Sequence, residues 1–434
     1  MRFTNESSWA ALLAAFSCCA TLTTCGGTGT APPQESGVTS QAGSGTAPPQ
    51  GSGVTSQAES AIPQVLMSDG GHLARVRDSL RQGDPQYSHA LSVLEEDADR
   101  ALMIEPTSVM DKSVAPPSGD MHDYLSQAPY WWPDPSKPNG KPYIRRDGQR
   151  NPEIDKITDR ANLQRLAGSA FSLALAFYFT GRQEYAQHTA ELLRVWFLDP
   201  PTRMNPNLNF GQGIPGIAEG RAAGIVETRF LTQVIDSVTL LQGSSAWTAS
   251  DDQGLKDWMR AYLEWLQVSA LGRDEASRGN NQETWEEVQM VALALYTGQP
   301  DVAHTILQRS QAAIGKEFEP DGRQPRELAR TRSWDYSIFD LTAFLHLAAL
   351  ADRVGMDLWN YQTPDGRSLR KGLEYLIPFA TGDKRWPSKQ ITPFRASALH
   401  PVLRLAAVGW RNSMYRALAQ QIGGGTAMLD LTFP

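Results

Sequence analysis

Apolar residues recur at spacings of three and four along most of the chain from about residue 62, and alternating apolar and polar runs are few. This spacing puts apolar side chains on one face of an α-helix. One such stripe consists of Leu163, Leu166, Ala170, Leu173, Ala174 and Phe177. Gly181 follows it and should end the helix, because glycine adopts the left-handed conformation of a helix C-cap without strain. The pattern predicts an all-α domain over residues 62–434.

A helical hairpin with a Thr-Gly turn occurs twice. Residues 174–181 read ALAFYFTG and residues 292–298 read ALALYTG, and another helical pattern follows each, the first from about residue 184 to 197. Repeated helical hairpins favour an incomplete α/α toroid, in which inner helices surround a cleft and loops at one end carry the functional groups. An open solenoid is the alternative. We expect a single last helix over residues 400–422.

The first 25 residues have the pattern of an export signal. Arg2 precedes an apolar run over residues 9–20, and Cys25 follows Leu-Thr-Thr. This order resembles a bacterial lipoprotein signal in which Cys25 becomes the lipid anchor, and an ordinary secretory signal is the alternative. Either signal predicts an exported protein, in the periplasm or anchored to the outer membrane.

A tandem repeat follows the signal. Residues 29–42 read GTAPPQESGVTSQA, and residues 45–58 repeat them with one difference. A segment so rich in Gly, Ser, Thr and Pro cannot bury an apolar core. We therefore expect residues 26–61 to be a disordered linker that tethers the helical domain.

Charge and cysteine content narrow the classes of function. The net charge of −7 argues against a nucleic-acid partner, so attraction of an anion has to be local. Lys137, Lys141, Arg145, Arg146 and Arg150 form one basic run, opposed only by Asp147. All three cysteines lie in the first 25 residues, so the helical domain has no thiol nucleophile or thiolate metal ligand. We expect neither a metal nor another cofactor.

The segment from Glu327 to Tyr336, ELARTRSWDY, contains the most informative group of polar residues. Arg330 and Arg332 can bind a carboxylate through forked hydrogen bonds, and Tyr336 beside them can have its phenolate stabilised. An anion clamp with a phenol base suits β-elimination from an acidic polysaccharide. The alternative is a solvated salt-bridge face beside a core tyrosine.

Three long loop regions, at about 116–155, 199–224 and 272–285, contain further candidates, because long irregular loops in a compact domain are usually functional. Aromatic rings can stack on sugars, and amides can bind hydroxyls or a carboxylate. The candidates for substrate binding are His122, Tyr124, Trp131, Asn209, Gln212 and Asn280. The structural alternatives are packing against the toroid rim for Trp131, Asx turns for Asn209 and Gln212, and a helix N-cap for Asn280.

Several of these segments together resemble the bacterial alginate lyase superfamily, over about residues 120 to 380. They read DYLSQAPYWWPDP, PYIRRDGQRNPE, MNPNLNFGQGIPG, the NN loop at residues 280–281, ELARTRSWDYS and DLWNYQTPDGRSLRK. The most similar branch acts on mannuronan and glucuronan. The resemblance implies an α/α toroid and a polysaccharide lyase whose partner is an acidic polysaccharide.

The resemblance also implies roles for individual residues. Tyr336 matches the tyrosine that acts as base and acid, Arg330 its neighbouring arginine, and Asn281 the asparagine at the substrate carboxylate. The family's histidine falls on Gln282, which can donate a hydrogen bond but cannot exchange a proton near neutral pH. His122 is one hypothesis for a replacement imidazole. Arg332 then has a role in substrate binding or in stabilising the structure.

Two other functions remain compatible with the sequence. A glycan-binding lipoprotein would keep the cleft but lose catalysis through the glutamine at position 282. A glycoside hydrolase on the same toroid would need two facing carboxylates. Asp123, Asp134, Glu283 and Glu286 are available for that role, although nothing in the sequence pairs them.

Overall fold

A computed structural model describes residues 62–434, and the predicted signal and linker at 1–61 lie outside the described residues. The described part is an α/α toroid, as predicted. Its helices are α1 Gly70–Arg81, α2 Ser88–Leu102, α3 Asp159–Thr180, α4 Gln183–Phe197, α5 Leu231–Leu240, α6 Ala249–Val268, α7 Ala270–Glu275, α8 Asn281–Tyr296, α9 Pro300–Glu317, α10 Pro325–Leu328, α11 Ser333–Ala351, α12 Leu369–Ala380, α13 His400–Gly409, α14 Ser413–Ile422 and α15 Ala427–Thr432. No helix in this part is long and apolar enough to cross a membrane.

The inner helices of the toroid contact one another in chain order. Helix α3 packs on α5, α5 on α8, α8 on α11 and α11 on α13. Helices α3 and α11 have buried side chains all around their circumference, as expected for inner helices. Helices α4, α9 and α14 pack outside α3, α8 and α13, so each forms a hairpin with its inner partner. The terminal helix α15 packs on α1 and α2, and α2 packs on α3.

Four short strands lie in the long loops. Strand β1 Leu125–Gln127 pairs in parallel with β4 Phe210–Gly213, and β2 Trp131–Trp132 pairs in antiparallel with β3 Ile144–Arg145. The first pair joins two of the loop regions that the sequence analysis identified as functional. These loops therefore form one structured layer over an end of the toroid.

Helix boundaries agree with the sequence analysis except near the C-terminus. Gly181 ends α3 with a φ of 75°, as expected for a left-handed cap. The single helix predicted for residues 400–422 is wrong, because α13 ends at Gly409 and α14 begins at Ser413. Gly409 lies against the Trp359 ring, Arg411 has a φ of 49°, and Asn412 caps α14.

Candidate active site

A cleft of about 370 Å³ lies where the loop layer meets the N-terminal ends of α3, α8 and α11. Helix N-termini carry partial positive charge, so the backbone itself favours an anion here. Seven arginines line the cleft: Arg145, Arg160, Arg221, Arg229, Arg278, Arg330 and Arg332. None of the described lining residues is acidic. The cleft therefore concentrates positive charge in a chain whose net charge is −7.

Tyr336 lies in the first turn of α11 and reaches the cleft, where it contacts Tyr130 and Arg330. Its hydroxyl donates a hydrogen bond of 2.9 Å to the Tyr130 hydroxyl. The guanidinium carbon of Arg330 lies 3.8 Å from the centre of the Tyr336 ring. Burial and Tyr130 raise the pKa of Tyr336 well above its ordinary value, whereas the charge of Arg330 lowers it. Burial and Tyr130 therefore favour the phenol form of Tyr336, and the charge of Arg330 favours the phenolate.

Asp147 holds Arg330 in this position from a distant part of the chain. Its carboxylate accepts hydrogen bonds of 2.9 and 3.3 Å from Arg330, and others of 3.2 and 3.0 Å from the amide and hydroxyl of Thr331. Burial opposes ionisation of Asp147, but these bonds and the charge of Arg330 outweigh it and lower its pKa below the ordinary range. Gly148 follows with a φ of 73°, and a Cβ there would lie 2.5 Å from Thr331 Oγ1.

Asn281 begins α8 and is fixed by a buried carboxylate. Its backbone N–H and its Nδ2 donate hydrogen bonds of 3.0 and 2.8 Å to the two oxygens of Glu327. Asn281 and Glu327 are each 2% exposed. Asn280 is the N-cap of the helix, since its side chain accepts from the Gln282 amide at 3.0 Å. The structural alternative for Asn280 is therefore correct, although the residue also lines the cleft.

Gln282 lies in the cleft wall next to Asn281. No described residue forms a hydrogen bond with its side-chain amide, which leaves the amide able to bind a ligand. The neighbouring Glu283 turns away and accepts a hydrogen bond from the Gly279 amide. The Glu283 carboxylate is thus absent from the cleft lining.

Three further predicted residues also line the cleft. Trp131 lies beside Tyr130 in the loop layer. Gln212 has a φ of 50° and accepts a hydrogen bond of 2.5 Å from Arg221. Arg332 forms an ion pair of 2.8 Å with Asp335. Gln212 and Arg332 are therefore held by partners within the protein while facing the cleft.

The structure does not place His122, Tyr124 or Asn209 in the cleft. Tyr124 is fully buried, and its hydroxyl donates to Glu227 at 2.9 Å, so it fills the core. The Nδ1 atom of His122 lies 2.6 Å from the Arg203 carbonyl oxygen, outside the residues that line the cleft. Tyr124 is therefore a core residue, and its predicted contact with substrate is wrong. Substrate contact by His122, and its replacement of the family's histidine, stay predictions.

Asn209 is held by a partner within the protein, and its predicted contact with substrate stays a prediction. Its side-chain oxygen accepts a hydrogen bond of 3.1 Å from the Trp265 indole, and the residue is absent from the cleft lining. Asn209 is separated from Gln212 by only three positions, but strand β4 begins between them and carries Gln212 to the cleft. Asn209 therefore secures the loop to helix α6.

Several cleft residues were missed by the sequence analysis. Tyr130 was visible in the aromatic run, but nothing in the sequence distinguished it from Tyr124. Arg145 belongs to the basic run identified in the sequence, whereas Arg160, Arg221, Arg229 and Arg278 were not predicted and come from separate parts of the chain. A cluster formed by such distant positions has no signature in the sequence.

The cleft does not have the geometry of a two-carboxylate hydrolase. Among the described residues, none of its lining side chains is a carboxylate. Asp123 instead accepts hydrogen bonds from Ser118, Asn205 and Asn207, and Glu286 is fully buried. No group of three or more His, Cys, Asp or Glu in residues 62–434 is arranged to hold a metal ion.

Comparisons with known proteins identify the family and agree with the fold. The sequence profile of the alginate lyase family matches residues 108–386. An alginate lyase from Bacteroides ovatus has a similar structure with a TM-score of 0.82; it is 39% identical, and the match covers 86% of this chain and 99% of that chain. No match was found among curated proteins.

More distant structures share the fold. Alginate lyase A1-III from Sphingomonas species A1 matches with a TM-score of 0.51 and 14% identity, over 80% of this chain and 94% of that chain. A variant of A1-III in complex with a tetrasaccharide matches with a TM-score of 0.54 and 15% identity, over 88% of this chain and 99% of that chain.

The fold and the comparisons define an enzyme of the polysaccharide lyase class. The chain belongs to the alginate lyase family.

Proposed function

We propose that this lyase cleaves 1,4-linked mannuronan or glucuronan by β-elimination, with Tyr336 as both base and acid. The observation that carries the proposal is the position of Tyr336, whose ring lies against the Arg330 guanidinium group in a cleft lined by arginines and amides. The similar structures are alginate lyases, one of them in complex with a tetrasaccharide, which supports an acidic polysaccharide as the substrate.

Binding of the uronate carboxylate is the first part of the mechanism. The Asn281 and Gln282 side chains lie at the N-terminal end of α8, where the helix dipole also favours an anion. Hydrogen bonds from these amides would withdraw charge from the carboxylate. Withdrawal of charge stabilises the carbanion that develops at C5. Gln282 serves this role as a donor, which does not require the proton exchange of a histidine.

Proton transfer through Tyr336 is the second part. The reactive form is the phenolate, which Arg330 stabilises by charge and which Tyr130 can stabilise by reversing its hydrogen bond. The phenolate takes the proton from C5, a C4–C5 double bond forms, and the bond between C4 and O4 breaks. The new phenol then gives its proton to O4. Tyr336 is thereby returned to its phenolate form.

The stereochemistry of the sugar supports the choice of substrate. In mannuronate and glucuronate, H5 and O4 lie on the same face of the ring, so a single tyrosine can serve both. In guluronate they lie on opposite faces, and a second proton-transfer group would be needed. No histidine or carboxylate among the described residues lines the cleft to supply it.

A comparison of three polymers tests the proposal. The purified enzyme is incubated with mannuronan, glucuronan and guluronan, and the ultraviolet absorbance of the unsaturated product is followed. We expect absorbance to grow with mannuronan or glucuronan and to grow more slowly with guluronan. Faster cleavage of guluronan would overturn the assignment of Tyr336 to both proton transfers.

We also propose that the enzyme is exported and anchored to a membrane through Cys25. This proposal rests on the N-terminal sequence, in which an apolar run precedes the cysteine. Detergent phase partitioning of the protein made in a bacterial host tests it. The wild type should enter the detergent phase, and Cys25→Ser should remain in the aqueous phase. Equal partitioning of the two proteins would favour an ordinary secretory signal.

A further inference from the structure

A basic loop at residues 384–395 borders the cleft and has no role in the mechanism above. It follows helix α12 and reads KRWPSKQITPFR, with four cations and no acidic residue. Lys384, Arg385, Lys389 and Arg395 are all exposed. None of the four forms an ion pair or a side-chain hydrogen bond with a described residue. Their charges therefore remain available to a ligand.

The basic loop is fixed to the segment that begins helix α11. The Ser333 amide donates to the Lys389 carbonyl at 3.1 Å, and the Ile391 amide donates to the Thr331 carbonyl at 2.9 Å. The Trp334 indole donates to the Arg395 carbonyl at 2.9 Å.

Side chains of the basic loop make further hydrogen bonds to the start of α11. The Trp386 indole donates to Ser333 Oγ at 2.8 Å, and the Thr392 hydroxyl donates to Asp335 at 3.0 Å. The loop is thus held in place before any ligand binds, which reduces the entropy lost on binding.

This attachment makes the loop continuous with the cleft. Gln390 forms a β-bridge with Arg332, which lines the cleft. On another side, a Cβ added to Gly148 would lie 3.1 Å from Ile391 Cδ1, so the basic loop also touches the turn that holds Arg330. Ile391 and Phe394 are 44% and 40% exposed, which gives the loop apolar surface among its cations.

We propose that the basic loop is an outer binding site for the same polyuronate chain, beyond the sugars held in the cleft. Its cations would pair with carboxylates, and its apolar side chains would contact sugar rings, as aromatic side chains often do. The proposed role rests on the proposed function, because it takes the substrate to be a polyuronate. It gives the enzyme a preference for long chains over short oligosaccharides.

Binding measurements test this proposal with a protein that does not cut its ligand. The starting protein is Tyr336→Phe, and its affinities for long mannuronan or glucuronan and for the corresponding tetrasaccharide are measured by calorimetry at low salt. The test variant adds Lys389→Gln and Arg395→Gln. The matched control instead adds Arg75→Gln and Arg416→Gln, which remove two exposed cations that do not line the cleft. A third variant keeps the charges with Lys389→Arg and Arg395→Lys.

Two exposed ion pairs each contribute modestly, so we expect the test variant to bind the polymer about three- to 20-fold more weakly than the control. Its affinity for the tetrasaccharide should stay within about twofold, the charge-keeping variant should bind like the starting protein, and high salt should reduce the difference. Equal polymer affinity in test variant and control would overturn the outer site, as would equal weakening for polymer and tetrasaccharide. Absence of binding by the starting protein would overturn the proposed substrate itself.

Discussion

Replacement of Glu327 by glutamine tests whether a buried carboxylate sets the position of the Asn281 amide. In the wild type, both oxygens of Glu327 accept hydrogen bonds from Asn281, at 3.0 and 2.8 Å. Glutamine has one acceptor oxygen, and its NH₂ group would face the other donor. The variant therefore loses one hydrogen bond and leaves a donor of Asn281 unpaired at a site that is 2% exposed. We expect the Asn281 side chain to move away from its productive position.

The size of the effect follows from this loss. An unpaired buried donor costs about 1 to 3 kcal/mol. If the transition state requires Asn281 in its original position, the same free energy lowers kcat/KM by roughly 5- to 150-fold. The loss should lie mainly in kcat, because the substrate carboxylate that Asn281 binds gains most of its additional charge in the transition state.

The assay is the initial rate of ultraviolet absorbance increase over a range of polymer concentrations. Glu287→Gln is the matched control, because Glu287 is also 2% exposed on α8 but accepts a hydrogen bond from Ser310. Thermal unfolding of both variants shows that they are folded at the assay temperature. If Glu327→Gln keeps kcat/KM within twofold of the wild type while Glu287→Gln does the same, the positioning role of Glu327 is refuted.

Two further predictions concern charge around Tyr336. Arg330 lowers the pKa of Tyr336. Arg330→Gln should therefore move the rising limb of the pH profile of kcat/KM to higher pH, and Arg330→Lys should move it less. A limb that moves in neither variant would contradict the role of Arg330. The folded state lowers the pKa of Asp147, so its carboxylate stabilises the fold above the ordinary Asp pKa of about 4, and this contribution is lost as pH falls toward the lower folded value. Asp147→Asn should therefore unfold at a lower temperature than the wild type at pH 7, with a difference that shrinks at acid pH; a difference that does not change with pH would contradict the charge argument.

Local sequence patterns predicted an all-α fold with two helical hairpins, and they predicted that Arg330 and Tyr336 lie together. The spacing of apolar residues identified α3, and glycine at position 181 identified its end, because both are properties of a few consecutive residues. Arg330 and Tyr336 were predicted to be neighbours because they are six positions apart at the start of a helix.

Contacts between distant parts of the chain could not be predicted in the same way. Asp147 binds Arg330 across 183 positions, and Tyr130 binds Tyr336 across 206 positions. Tyr124 and Tyr130 stand in the same aromatic run, yet the first enters the core and the second enters the cleft. Which tyrosine faces a ligand depends on the pairing of the short strands, which no local pattern of these residues specifies.

The most direct test of the proposed mechanism is the turnover of mannuronan or glucuronan, whichever the wild type cleaves, by Tyr336→Phe. Removal of one hydroxyl group deletes the proposed base and acid but leaves the aromatic ring beside Arg330. General acid and base catalysis contributes roughly 10² to 10⁴ in rate, so kcat should fall by that factor while the affinity for polymer stays within about threefold. A variant that retains a kcat within tenfold of the wild type would contradict the account.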